Sequence, residues 1–181
     1  MSILSTAPIL YHTSYTIVNK INLSLCKHQN DFGRGFYLTT SKEQALRFVN
    51  AAIRKSKREL SHGYIMSYEL TDYCGLNTFE FDTTNMEWLH CICGFRRNIS
   101  SVCEQWNEYD LITGKVANDD TNATISFYLN GAYGEIGSEE AVAAALKQLR
   151  PEVLENQICI KTQLAIDRLS LINYKTVEKH G

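Results

Sequence analysis

The chain has 181 residues, enough for one domain with its own core and too few for two of ordinary size. Hydrophobic residues make up 44% and charged residues 21%, which excludes a disordered chain. Eighteen Lys and Arg face twenty Asp and Glu; the net charge of −2 excludes a nucleic-acid coat or a membrane-surface protein built on an overall basic excess.

Pro8–His12 reads as a short buried strand. Residues 25–35 are polar and carry two glycines, a loop, and Gly35–Leu38 reads as a strand. Thr40 and Ser41 are helix caps, with Glu43 or Gln44 near the capping-box position. From Ser41 to Arg58 the apolar residues recur at spacings of three and four, one helical face. Residues 63–70 and 76–82 are strands by alternation, and 84–93 is a helix. Residues 94–107 show no dominant period. Tyr109–Thr113 reads as a strand. Asp119 or Asp120 caps a helix that runs to Leu129, and a second helix covers 138–149 with an acidic start. Gln157–Thr162 is a strand, followed by a short helix and a last strand near 169–175. This order is not the alternation of a doubly wound sheet, so the expected fold class is α+β in a single domain over 1–181.

Six cysteines are present, but Cys91 and Cys93 are one residue apart, not at zinc spacing. With His90 they could form a metal corner. Buried thiols are the expectation, and no metal cofactor. The opening MSILSTAPIL has no basic n-region and too short an apolar stretch for a secretory signal, and no run of about 18 apolar residues occurs. The expected setting is cytoplasmic and reducing, with no membrane partner.

Three segments carry the chemistry: Tyr11-His12-Thr13-Ser14, the run Asp31–Thr40 (DFGRGFYLTT), and Glu155–Ile160 (ENQICI). In the middle one two glycines precede an aromatic strand, and glycine lets a ligand approach the main chain closely. Eleven residues after Tyr37, on the predicted helix, comes Phe48. Two such rings can enclose a flat ligand.

These segments resemble the His-Tyr-Glu type of ADP-ribosyltransferase, the group of diphtheria-toxin-like enzymes and poly(ADP-ribose) polymerases. The stretches LYHTSY, DFGRGFYLTTSKEQALRF, YDLITGKVANDDT and NQICIKT further resemble a bacterial domain family of formally unknown function grouped with that superfamily. The resemblance spans about residues 9 to 175 and is weakest over 84–107. It implies a split mixed sheet with flanking helices and NAD as substrate. His12 matches the histidine that holds the adenosine-side ribose hydroxyl. Thr13 stands where the usual glycine grips the nicotinamide carboxamide through its backbone. Tyr37 and Phe48 match the two stacking aromatics, and Phe32, Gly33 and Gly35 are expected to border NAD.

Gln157 stands at the place of the catalytic glutamate. An amide can bond the ribose hydroxyl but brings no charge. Loss of such a stabiliser costs on the order of 10²–10³ in rate. Glu155, two residues back on the same predicted strand, points to the same face by alternation and is the candidate replacement carboxylate. Asn118–Thr121 reads as a helix cap with a further place at the pocket rim, and Asp110 as structural or as polar support for the site. The helix over 41–58 carries six cations against one acid, a net +5, and leaves −7 for the rest of the chain. It reads as a solvated face or as a guide for phosphates, with Arg96 and Arg97 extending it.

The expected function is mono-ADP-ribosyl transfer from NAD to a macromolecular acceptor, protein or nucleic acid, with release of nicotinamide. Family context implies a toxin-like bacterial or phage-defence effector with a neutralising antitoxin partner. The alternatives are a non-catalytic module that binds NAD or ADP-ribose, and an NAD glycohydrolase.

Overall fold

A computed structural model of the chain describes residue 4 and residues 9–56, 59–116, 119–149 and 155–179; the side chains of 55 and 119–121 lie outside that description. The strands are β1 (Leu10–Ser14), β2 (Phe36–Thr39), β3 (His62–Leu70), β4 (Thr78–Glu80), β5 (Leu111–Lys115), β6 (Asn156–Ile160) and β7 (Leu169–Glu178). The helices are α1 (Lys42–Lys55), α2 (Met86–Arg97), α3 (Ser100–Cys103), α4 (Asp119–Leu129), α5 (Glu139–Leu149) and α6 (Gln163–Ile166), with 3₁₀ turns at Leu23–Leu25 and Glu104–Trp106. The fold is α+β, and the strands form one mixed sheet in the order β4-β5-β6-β2-β1-β3-β7. β4 and β5 are parallel and the other neighbours antiparallel.

The weakest joint of the sheet lies near its centre. β1 pairs with β3 over five residues, but β1 and β2 share a single pair, Tyr11 with Thr39. The two strands part towards Ser14 and Phe36. The sheet expected to be split is thus one ladder with a thin seam.

The pleat sorts the side chains around that seam. Direct antiparallel partners share a face. Tyr37 pairs with Cys159 and Thr39 with Gln157, so these four point to one side, while Phe36 and Leu38 pair with Ile160 and Ile158 on the other. On the first side Cys159 and Ile112 join a core cluster with Trp88, Leu89 and Ile92 of α2 and with Tyr128 and Ala145 of α4 and α5. On the second side Phe36, Leu38, Ile158 and Ile160 join Leu10, Met66, Tyr68 and Ala165. Both faces of the central strands are therefore covered.

α1 forms because Ser41 caps it: its Oγ accepts from the Gln44 N–H at 3.1 Å. Ala45, Val49 and Ile53 then fall on one stripe and bury against Ile65 of β3. α2 begins at a similar cap, Asn85 accepting from the Trp88 N–H, and ends at Asn98, whose φ of 56° closes it. Seven consecutive or near-consecutive residues of α2 are buried, so it is a central helix with no solvent stripe. That accounts for the missing period over 94–107: its first residues complete α2, and the rest form α3 and a 3₁₀ turn.

The predicted strand over 76–82 shortens to Thr78–Glu80, and β1 runs two residues beyond His12 because Thr13 and Ser14 pair with Ile65 and Tyr64. Pro8 lies outside the described residues. All six cysteines are free. No described helix is long and apolar enough to cross a membrane.

Candidate functional site

A cavity of about 1230 Å³ opens at the seam between β1 and β2. His12 and Thr13 of β1, Tyr37 and Thr39 of β2, Gln157 of β6 and one face of α1 all border it. On α1 that face is Gln44, Phe48, Ala51 and Ala52, beside the stripe that packs on the sheet. Segments of the loop from Thr16 to Asp31 close the remaining side.

His12 bridges the parting strands. Its Nδ1 lies 2.7 Å from the Tyr37 carbonyl oxygen. A carbonyl only accepts, so Nδ1 carries the proton. Burial lowers the ring's pKa from 6.5 to about 4, against the raising effect of that bond, so the imidazole is neutral at pH 7. Nε2 is then an acceptor with no protein partner among the described residues. The ring also packs against Phe36, with centroids 4.2 Å apart. Thr13 Oγ1 donates to the Ala45 carbonyl at 3.0 Å, which ties β1 to the first turn of α1.

Tyr37 closes its own loop. Its hydroxyl donates to the Gly33 carbonyl at 2.8 Å and accepts the Phe32 N–H at 2.9 Å. Burial pushes its pKa well above the usual tyrosine value. The glycines have packing reasons. Gly33 has φ +81° and a Cβ there would meet the Phe95 ring at 2.5 Å. A Cβ on Gly35 would meet Cys159 Sγ at 2.3 Å and the Ile160 carbonyl oxygen at 2.7 Å. Gly35 borders the cavity, whereas Gly33 and Phe32 do not. Phe32 is fully buried and stacks on Phe81, with centroids 5.6 Å apart. The structure thus separates these two residues from the set expected around NAD.

Phe48 is on the cavity wall and 41% exposed. Gln157 is buried and on the same wall, but Glu155 is not. Glu155 lies one residue before β6, further along the sheet than the cavity wall. Its carboxylate is held by Ser41 Oγ at 3.0 Å and by Arg47 at 2.6 Å, beside the N-terminus of α1. Asp110 also lies away from the cavity. It accepts the Asn77 N–H and the Thr162 hydroxyl, and so pins the approach to β4 to the start of α6. Asn118 and the side chains of Asp119, Asp120 and Thr121 lie outside the described residues. Asn122, one residue on, borders the cavity.

One member of the site was not singled out by the sequence. Asp31 is 6% exposed and borders the cavity. Its Oδ1 takes two hydrogen bonds from Arg96, at 2.9 and 2.6 Å, and its Oδ2 accepts from Gln157 Nε2 at 2.7 Å. The other proton of that amide goes to the Lys115 carbonyl at 3.2 Å, which also accepts from Trp88 Nε1. The signal was present in DFGRG, but an aspartate before a glycine turn reads first as turn chemistry. Its partner Arg96 comes from the segment with the weakest pattern.

The metal corner is not formed. Cys91 and Cys93 are buried, and burial raises both thiols, Cys93 to about 12. His90 instead bonds the Tyr128 hydroxyl at 2.9 Å. Among the described residues no group of three His, Cys, Asp or Glu side chains is arranged to hold a metal.

No curated protein and no solved structure matches the chain. A family model described as a protein of unknown function, DUF3990, matches residues 9–171. That span takes in every strand and helix named above except the end of β7, and the chain therefore belongs to the DUF3990 family.

Proposed function

We propose that this protein is an NAD-dependent mono-ADP-ribosyltransferase of the His-Tyr-Glu type, acting on a macromolecular acceptor. The observation that carries the reading is the convergence of His12, Thr13, Tyr37, Phe48 and Gln157, from three distant parts of the chain, on one cavity.

Each has chemistry suited to the task. Neutral His12 offers a fixed acceptor, Nε2, to a ribose hydroxyl. Tyr37 and Phe48 offer aromatic surface to a flat, positively charged nicotinamide ring. With both amide protons of Gln157 bound to obligatory acceptors, its Oε1 is left to accept from a hydroxyl. Lys20 and Lys27 border the cavity and suit a pyrophosphate.

In the reaction the bond from ribose C1′ to the nicotinamide nitrogen breaks. The electron pair leaves with the nitrogen, and nicotinamide departs neutral. A lone pair of the acceptor forms the new bond to C1′, and the acceptor's proton passes to water. A toxin-like effector held in check by a neutralising partner is the biological setting that accompanies this reading.

The test is incubation of the protein with labelled NAD and cell lysate, followed by protease or nuclease treatment. Label is expected on one macromolecular class, with release of nicotinamide, and Tyr37→Ala and His12→Ala should abolish both. NAD consumption without labelled product would make the enzyme a glycohydrolase. The amide at position 157 favours a second reading, a module that binds NAD without turnover. Calorimetric binding of NAD without nicotinamide release would select it.

A further inference from the structure

We infer that the negative charge a glutamate would bring to this site is supplied by Asp31, acting through the side-chain amide of Gln157; this rests on the transferase reading above. Three observations carry it. Asp31 and Gln157 are each 6% exposed and share a 2.7 Å hydrogen bond at the cavity wall. The polarity of that bond is fixed, because a carboxylate and the Lys115 carbonyl both accept, so both protons lie on Gln157 Nε2 and Oε1 is the free end. The support is rigid: Trp88, fully buried, orients the Lys115 carbonyl.

A carboxylate against the N–H end of an amide polarises it, and Oε1 becomes a stronger acceptor. Arg96 offsets part of the charge, but it binds Oδ1, whereas Gln157 binds Oδ2, so the carboxylate is the nearer ion to the amide. Oε1 then takes the ribose hydroxyl, and the field of Asp31 favours the cation that grows at C1′ as nicotinamide leaves. Asp31 is a positioning residue here, and Gln157 makes the contact. The same geometry explains why the protein carries glutamine: a second carboxylate at 157 would face Asp31 and the Lys115 carbonyl with no proton between them.

The test is a carboxylate–amide exchange read by nicotinamide release and NAD binding. Asp31→Asn should lower kcat about 10- to 100-fold, less than for a directly contacting group, with NAD affinity within about threefold of wild type. Gln157→Glu alone should also lose release, by like-charge repulsion. The double variant, Asp31→Asn with Gln157→Glu, restores a donor facing an acceptor and should recover about three- to tenfold over Asp31→Asn. Recovery stays incomplete because the new carboxylate also faces the Lys115 carbonyl.

A purely structural Asp31 predicts a lower melting temperature and weaker NAD binding, with kcat of the bound protein kept. That result, or a double variant no better than the singles, overturns the inference while the transferase reading stands. If Asp31→Asn does not fold, the double variant is compared with Gln157→Glu, and equal rates overturn it. Wild-type protein that releases no nicotinamide overturns both.

Discussion

His12 shows how a single side chain is tuned by the gap it spans. Its proton sits on Nδ1 because the Tyr37 carbonyl can only accept. Its pKa of about 4 lies below the unfolded value near 6.5, so the unfolded chain binds more protons between those limits. The contribution of neutral His12 is therefore complete above pH 6.5 and lost as pH falls towards 4. Denaturant titrations should show wild type losing roughly 2 kcal/mol over that window, reduced because the ring borders an open cavity, and His12→Gln should lack this component. Tyr37 is held at its hydroxyl as well as its ring. Tyr37→Phe leaves the Phe32 N–H unpaired and should cost about 1–3 kcal/mol in urea unfolding while retaining NAD binding. Gly35→Ala is more severe. A methyl there meets Cys159 Sγ and the Ile160 carbonyl of the neighbouring strand, and a loss of about 2–4 kcal/mol is expected.

At the scale of elements, α1 does two jobs with adjacent stripes. Ala45, Val49 and Ile53 hold it on the sheet, and Gln44, Phe48 and Ala51 face the cavity. Its N-terminus is fixed by Ser41, which caps the helix and also donates to Glu155. Ser41→Ala should cost about 1 kcal/mol in thermal unfolding and should weaken NAD binding, since the first turn carries Gln44 into the wall. The elements themselves were legible. The spacing of three and four gave α1, alternation gave β3 and β6, and the acidic start gave α5. Extents were less legible than existence. The helix expected over 84–93 runs on to Arg97 because its later residues are nearly all buried and show no polar face to mark a period, and the strand expected over 76–82 pairs only over Thr78–Glu80. Glu155 shows the limit of alternation: the rule assigns a face, but Ser41 and Arg47 engage this carboxylate beside the N-terminus of α1, away from the cavity.

For the whole molecule, the near-zero net charge hides an uneven distribution. Of the net +5 carried by residues 41–58, Lys42, Arg47, Arg54 and Lys55 against Glu43 leave +3 on α1, the helix that walls the cavity, although Arg47 is engaged by Glu155. Lys20 and Lys27 add cations at the opposite wall. NAD affinity should fall between about 0.05 and 0.2 M salt, and replacing Lys20 and Lys27 by Ala should remove most of that dependence, as read by calorimetry.

Local signals were enough for the class of fold and nearly all its elements, because periodicity, caps and turn residues act over a few neighbours. The sequence also marked His12, Tyr37, Phe48 and Gln157 as a set. What surrounds them follows from long-range packing. The order of seven strands brings β6 against β2 and opens β1 from β2, and neither is encoded in local spacing. That order sets Asp31 of a loop and Arg96 of a buried helix against Gln157, 126 residues from Asp31 in the chain. A charge and its partners so far apart are joined by packing alone, and at this site packing decided which carboxylate meets the amide.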